Sequence, residues 1–279
     1  MPTDIPSVST FKSPALAELA PALPSLTDKA AFWLKRDIVR GVFLPNERIK
    51  VDPLSKFYGV GRSPIQAGIM QLEPTGLLSH EHQKGHRVAP VSLADYDDVR
   101  QLYRDLYRIA LRRAVKNGDM AWEERVVLTL HRTSKVPKVI DVRGEGREMW
   151  QMAYKRLHAE ILSGCGSPLL TALIADLGNR VERYVNLFAD LQSDLERDHH
   201  KEHRELVDIV LERDAQKVIE AFDAFFQRAQ PMRDTVVEKL RSMEETKPAR
   251  RPRGAARPPP EPAKPAAAKT AAKGRRKVS

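Results

Sequence analysis

Residues 38–92 read IVRGVFLPNERIKVDPLSKFYGVGRSPIQAGIMQLEPTGLLSHEHQKGHRVAPVS, and the order of stops and apolar runs in this stretch decides the fold. A helix that Thr27 or Asp28 can cap leads into it, with Phe32, Leu34, Ile38 and Val39 at near-helical spacing, and Gly41 ends that helix. Pro45-Asn46 makes a turn, residues 48–51 are β-like, and a short second helix over 53–58 is closed by Gly59. Ser63 then opens a third helix as its cap, with Pro64 at the first helical position and Gln66 at the third, the arrangement of a capping box. That helix runs to Glu73, where Pro74 stops it. Residues 77–81 and 87–91, joined through His82-Gln83-Lys84-Gly85, read as a β-hairpin.

Helix, helix, turn, helix and hairpin in succession is the order of a winged helix-turn-helix, whose third helix enters the major groove. Double-stranded DNA is the partner this predicts. Residues 25–92 hold ten Lys and Arg, Arg48 among them, against six acids, an excess of the sign that phosphate contact requires.

Four strings in this region resemble the DNA-binding domain of the GntR family: GVFLPN at 41–46, GVGRSPIQAGI at 59–69, LEPTGL at 72–77 and GHRV at 85–88. The resemblance covers about residues 26–92 and implies that Arg62 and Ser63 contact phosphate and bases. It places Gln66 where the family has a second, base-reading arginine, and Gly61 where it has a serine. Arginine reads guanine and glutamine prefers adenine, so a shifted operator is one reading of Gln66; closing the capping box is the other. Gly68 costs about 1 kcal/mol relative to Ala inside a helix, and either close packing or a weakened reader accounts for it. Lys84, Gly85 and His86 resemble the family's wing, which approaches the minor groove.

Beyond Ser92, which can cap the next helix, the pattern is helical throughout. Val99, Leu102, Leu106, Ile109, Ala110 and Leu111 line one side of a helix that ends at Asn117-Gly118, and further segments follow near 121–132, 144–163, 167–190, 193–212 and 215–244. The predicted class is mainly α: a winged helix-turn-helix over 25–92 and an all-helical bundle of about six helices over 93–245. Behind a GntR-like head, such a bundle resembles the FCD-type effector domain of the FadR branch, which implies a homodimer and a small carboxylate effector, often beside a metal. The branch's metal pattern is half kept. His158 and His203 match, whereas Tyr154 and Phe225 stand where an aspartate and a histidine are usual, so no metal cofactor is expected and these two histidines are weak candidates only. Arg104 matches the branch's arginine on the first bundle helix, and Arg108 replaces a glutamate. An anionic effector, such as an organic acid, held by Arg104, Arg108, His158 and His203 is the expectation, with Arg180 and Arg183 on a helix that often faces the pocket.

Charge separates the ends from the body. Residues 246–279 carry 11 of the 47 Lys and Arg but one of the 37 acids, which leaves the rest balanced at 36 of each. Rich in Lys, Arg, Pro and Ala, that tail lacks apolar surface to offset ordering entropy; it reads as disordered, either a solubilising extension or a salt-sensitive DNA tether. Residues 1–24 read as a flexible N-terminus. Cys165 has no second thiol to pair with, and no signal peptide or membrane-length apolar run appears, so a cytoplasmic, nucleoid-associated protein is expected. No nucleophile elbow, phosphate-cradling glycine loop or metalloprotease motif points to an enzyme. The function predicted is an effector-responsive transcription regulator, by default a repressor; the alternative is an architectural DNA binder acting through the tail.

Overall fold

The computed structural model describes residues 23–137, 145–189 and 197–245; the N-terminal stretch 1–22 and the basic tail lie outside the described residues. The DNA-binding part comprises α1 (Leu26–Val39), α2 (Val51–Tyr58), α3 (Arg62–Leu72), a 3₁₀ turn (Glu73–Thr75), β1 (Leu78–Glu81) and β2 (Gly85–Val88). The bundle comprises α4 (Leu93–Asn117), α5 (Met120–Thr133), α6 (Glu145–Ser163), α7 (Pro168–Phe188), α8 (His199–Leu211), α9 (Ala215–Arg228) and α10 (Gln230–Glu245). Among the described residues the bundle therefore has seven helices rather than six. The extra one comes from a break at Ala229, just before Pro231, whose ring and missing N–H cannot continue a helix interior.

Local signals hold with shifts that have identifiable causes. Ser25, not Thr27 or Asp28, caps α1, its Oγ accepting from the Asp28 N–H at 3.0 Å. The second helix starts two residues early, at Val51, because Pro53 is tolerated within the first turn, where N–H groups lack intrahelical partners anyway. Of residues 48–51 Arg48 forms a β-bridge to Arg87, Ile49 donates to the His86 carbonyl and Lys50 is extended, before Val51 starts the helix. The capping box is not formed. Gly61 is the N-cap of α3 without a side-chain cap bond, so Arg62 is already helical and Ser63 and Gln66 are left facing solvent. The hairpin pairs His80 with His86, and its second strand begins at Gly85 rather than Arg87.

Three apolar cores follow. One, built on Leu34, Ile38, Leu54, Ile65, Ile69 and Val88, closes the DNA-binding part. A second fills the bundle around Tyr107, Leu111, Trp122, Leu157 and Phe222, with Cys165 buried among them. The third lies at the junction, where Val91 and Tyr96 meet Tyr184 of α7 and Val236 and Leu240 of α10. Leu102 and Ile109, read as core positions of α4, are instead 45% and 40% exposed; Tyr96, Tyr103 and Tyr107 take the inward positions.

The junction is also polar. Ser92 caps α4 by accepting from the Asp95 N–H. Asp95 in turn receives the Tyr184 hydroxyl at 2.6 Å and Arg180 at 2.5 Å. The Arg180 guanidinium lies 3.3 Å from where a Cβ on Gly76 would sit, and Gly76 has φ +73°, so the turn into the wing and the start of the bundle press on one side chain. Arg183 donates to the carbonyl of Ala89 in the linker.

Gly68 settles a question that the sequence leaves open. A Cβ there would approach the Ala31 backbone nitrogen to 2.9 Å and the Ala30 Cβ to 3.2 Å, so the glycine exists to let α3 lie directly on α1. In an ordinary helix Gly→Ala is stabilising; here the clash reverses the sign. We expect Gly68→Ala to lower the unfolding free energy by about 1–3 kcal/mol in urea titrations.

Candidate nucleic-acid interface and effector site

Arg62, Ser63, Gln66 and Met70 form the outward stripe of α3, while Ile65, Gly68, Ile69 and Leu72 face the core. Helical spacing of three to four residues produces this division, and it leaves the N-terminal turns of α3 exposed. Arg62 is 70% exposed and pairs with Asp52 at 2.7 Å across the helix-turn-helix. Such an exposed pair is worth little and yields readily to a phosphate or a guanine edge. The Gln66 side chain is exposed and makes no hydrogen bond to any described residue.

The wing stands beside this stripe. Arg48 donates through Nη2 to the Lys84 carbonyl at 2.9 Å, fixing the tip, and Lys84 faces Glu81 at 3.6 Å. Gly85 takes φ +79° just after the turn. His86 packs on the His80 ring at 4.9 Å across the strands, with Nε2 3.6 Å from Glu73. Arg48 thus braces the tip, and of the wing residues singled out Lys84 and Gly85 are exposed while His86 is half-buried.

Inside the bundle the predicted effector residues separate into two pairs. Arg104 and Arg108, one turn apart on α4, both grip Asp223 of α9: Arg104 at 3.0 Å and Arg108 through Nη2 at 2.6 Å. Arg108 shares an open groove of about 420 Å³ with Asp105, Ile109, Arg112, Ile219 and Asp223. The Asp223 carboxyl is held below the usual range because the two guanidiniums outweigh its partial desolvation.

His158 and His203 meet in a ring cluster, Nε2 to Nε2 at 3.1 Å. One proton assignment satisfies every bond. The His199 carbonyl, 2.7 Å from His203 Nδ1, can only accept, so Nδ1 carries the proton and Nε2 is an acceptor. His158 must then donate from Nε2 and accept at Nδ1 from the Tyr107 hydroxyl, 2.5 Å away. Tyr154 packs tilted at 45° against His203 with centroids 4.0 Å apart and bonds His200 at 2.8 Å, and Phe225 meets the His203 ring edge-on at 4.9 Å. Burial pushes the His158 pKa down to about 4 and lowers that of His203 as well, where the neighbouring imidazole adds to the effect. Both rings are neutral at pH 7.

Two family models match the chain: "Bacterial regulatory proteins, gntR family" over residues 26–88 and "FCD domain" over 98–228. The HTH-type transcriptional regulator BphR of Paraburkholderia xenovorans (strain LB400) is 31% identical over 70% of this chain and 80% of its own. The chain belongs to the GntR family. The HTH-type transcriptional repressor GlaR of Escherichia coli (strain K12) is 29% identical over 67% of this chain and 86% of its own. The solved structure of E. coli McbR/YncC shares the fold, with TM-score 0.61 at 17% identity, covering 78% of this chain and 99% of the other. This GntR protein is thus a helix-turn-helix transcription regulator and not an enzyme, and its FCD domain is of the effector-binding type found in such regulators. Among the described residues no helix is long and apolar enough to cross a membrane.

In this GntR regulator the two facing imidazoles of the inner cluster are joined by the Tyr154 phenol, whose pKa burial drives upward, and by the Phe225 ring. Sequence reasoning missed Tyr107 and Asp223, the partners that decide what the histidines and arginines do. A 3.6-residue spacing locates each on an inward face but does not say which helix lies opposite.

The depressed histidine pKa has a consequence for stability. With a folded-state value near 4 and an unfolded value near 6.5, the unfolded chain takes the proton first as pH falls. Stability is therefore full above pH 6.5 and is lost as pH drops toward 4, by on the order of 3 kcal/mol for His158. Unfolding free energies measured from pH 7 to 4 are expected to fall less steeply for His158→Gln than for the parent chain.

Proposed function

We propose that this GntR regulator binds a palindromic operator as a homodimer, represses by occupying it, and releases it when a small anionic metabolite enters the FCD domain. The observation that carries the DNA-reading half is the stripe of Arg62, Ser63 and Gln66, exposed on the face of α3 opposite its core. Lys84, Gly85 and His86 supply the wing contact, and Arg48 holds the wing tip in place. Repression is supported by the alignment with a regulator named a repressor. With two copies paired through their bundles, half-sites fall about one helical turn apart.

For the effector, the supporting feature is the pair Arg104 and Arg108 gathered on one carboxylate beside an open groove. A carboxylate or phosphate ligand enters by exchanging with Asp223, since guanidinium forks accept either anion. His158 and His203, neutral and hydrogen-bonded to one another, offer such a ligand polarity rather than charge. No metal is invoked. Calorimetry against a panel of organic acids should find a binder whose affinity drops at least about tenfold in Arg108→Ala, the loss of one charge-assisted bond; a panel with no binder removes the anionic-effector reading.

Selection of bound duplexes tests the reading stripe. Arg62→Ala should weaken the selected site by about 1–3 kcal/mol, and Gln66→Arg should move the preference at one base pair from adenine to guanine. An Arg62→Ala variant of unchanged affinity at physiological salt rules out this docking. Deleting residues 246–279 should leave the preferred sequence intact while flattening the salt dependence of binding. Loss of most binding on that deletion would instead identify an architectural protein that works through its tail.

A further inference from the structure

Glu148 belongs to the bundle, yet its closest partners are on the DNA-binding part. It sits in the first turns of α6 with its side chain 5% exposed, and its two oxygens are gripped by the Arg36 Nε and Nη2 and, at 2.9 Å, by Arg40 Nη1. Arg36 lies in the last turn of α1 and Arg40 is its C-cap, so a single carboxylate is clasped by two side chains four residues apart at the end of that helix. Asp37, fully enclosed, completes the group: Arg36 lies 3.3 Å from it and the Tyr58 hydroxyl donates to it at 2.9 Å. Two cations and two anions balance here, with Arg36, Asp37 and Glu148 largely shielded from water and Arg40 at 26% exposure, and the balance holds only while Glu148 is present.

Whatever holds α1 holds the reading helix. The other face of α1 receives α3 at the Gly68 contact, where backbone meets backbone without an intervening side chain to absorb a shift. Carboxylate, α1 and α3 form one rigid train. The far end of α6 joins it to the ring cluster, since Tyr154 and His158 follow Glu148 by six and ten residues on the same helix. Between them Gln151 donates to Asn186 of α7 at 3.2 Å, and Asn186 donates to the Val39 carbonyl at the end of α1, a second link of the same sense.

We infer that Glu148 is a positioning residue for DNA binding: clamped by Arg36 and Arg40, it sets the pose of the reading helix and ties that pose to the state of the His158–His203 cluster on α6. The inference rests on the reading proposed above, in which α3 meets the operator, and it names the contact through which the FCD domain acts on it.

A double-mutant cycle on the full chain tests it, with the affinity for a duplex selected by the parent protein as readout and no effector required. Glu148→Gln, folded by circular dichroism, should weaken that duplex by about tenfold, the size of a typical coupling between sites, while Glu148→Asp retains part of the affinity. His158→Gln should change the affinity of the parent severalfold and leave that of Glu148→Gln nearly unchanged, because the link it acts through is gone. If Glu148→Gln does not fold, Glu148→Asp serves as the second background, with a smaller reduction of the same sign. An affinity unmoved by the Glu148 variants overturns the inference. So does a His158→Gln effect that is absent from the parent or equal in both backgrounds. Arg62→Ala measured alongside separates the two readings: if it weakens binding while the Glu148 variants leave it unmoved, this inference alone falls, and if neither matters the docking itself is wrong.

Discussion

Helix α1 has to be buried on two sides at once, and most of the molecule is arranged around that constraint. Its small residues Ala30 and Ala31 accept the reading helix at van der Waals distance, which only a glycine at position 68 permits. Its charged flank, Lys35, Arg36 and Arg40, is received by acids of the bundle, Asp176 and Glu148. An amphipathic helix with one apolar stripe ordinarily leaves its charged side to solvent. Here that side is engaged as well: Arg36 is almost wholly covered, Arg40 and Lys35 are 26% and 30% exposed, and each of the three has an anion within bonding distance. The result is a DNA-binding part that is seated on its bundle by specific pairs in addition to the linker and the apolar junction.

Much of the architecture was legible from the chain itself, because the signals that punctuate it are local. Gly41, Gly59, Pro74 and Ser92 mark ends and starts that need no knowledge of what lies across the core, and the helix-turn-helix and the wing follow from their order. The errors are also local in origin. Ser63 satisfies every rule for a cap, but Gly61 adopts extended backbone just ahead of it and starts the helix two residues sooner. Leu102 and Ile109 have core-like hydropathy and face outward, because three tyrosines of the same helix reach further inward and make ring contacts that leucine cannot.

The site was legible to a lesser degree. The reading stripe required only helical periodicity, and it stands where the periodicity puts it. The effector residues required knowing which helices oppose each other, and there the chain is silent: Arg108 and Asp223 are separated by 115 positions, Arg36 and Glu148 by 112. Nothing in either neighbourhood announces the partner. A basic residue in the middle of a helix reads as a solvated face until the acid opposite is seen. The same holds for Tyr107, whose hydroxyl donates to His158 Nδ1 in the proton assignment that the His199 carbonyl sets for the ring cluster.

The Gly76 and Arg180 contact bears on how such regulators are taken apart and recombined. A reading head and a sensing bundle joined by a short linker look interchangeable, and a cut near residue 90 suggests itself. Yet the bend into the wing is shaped around an arginine that comes from α7 and is anchored on the first turn of α4. A chimera spliced at the linker would separate the bend from the side chain moulded against it. In this protein the seam between modules is a surface that crosses three helices rather than a point on the chain, and transplanting the head means carrying its half of that seam along.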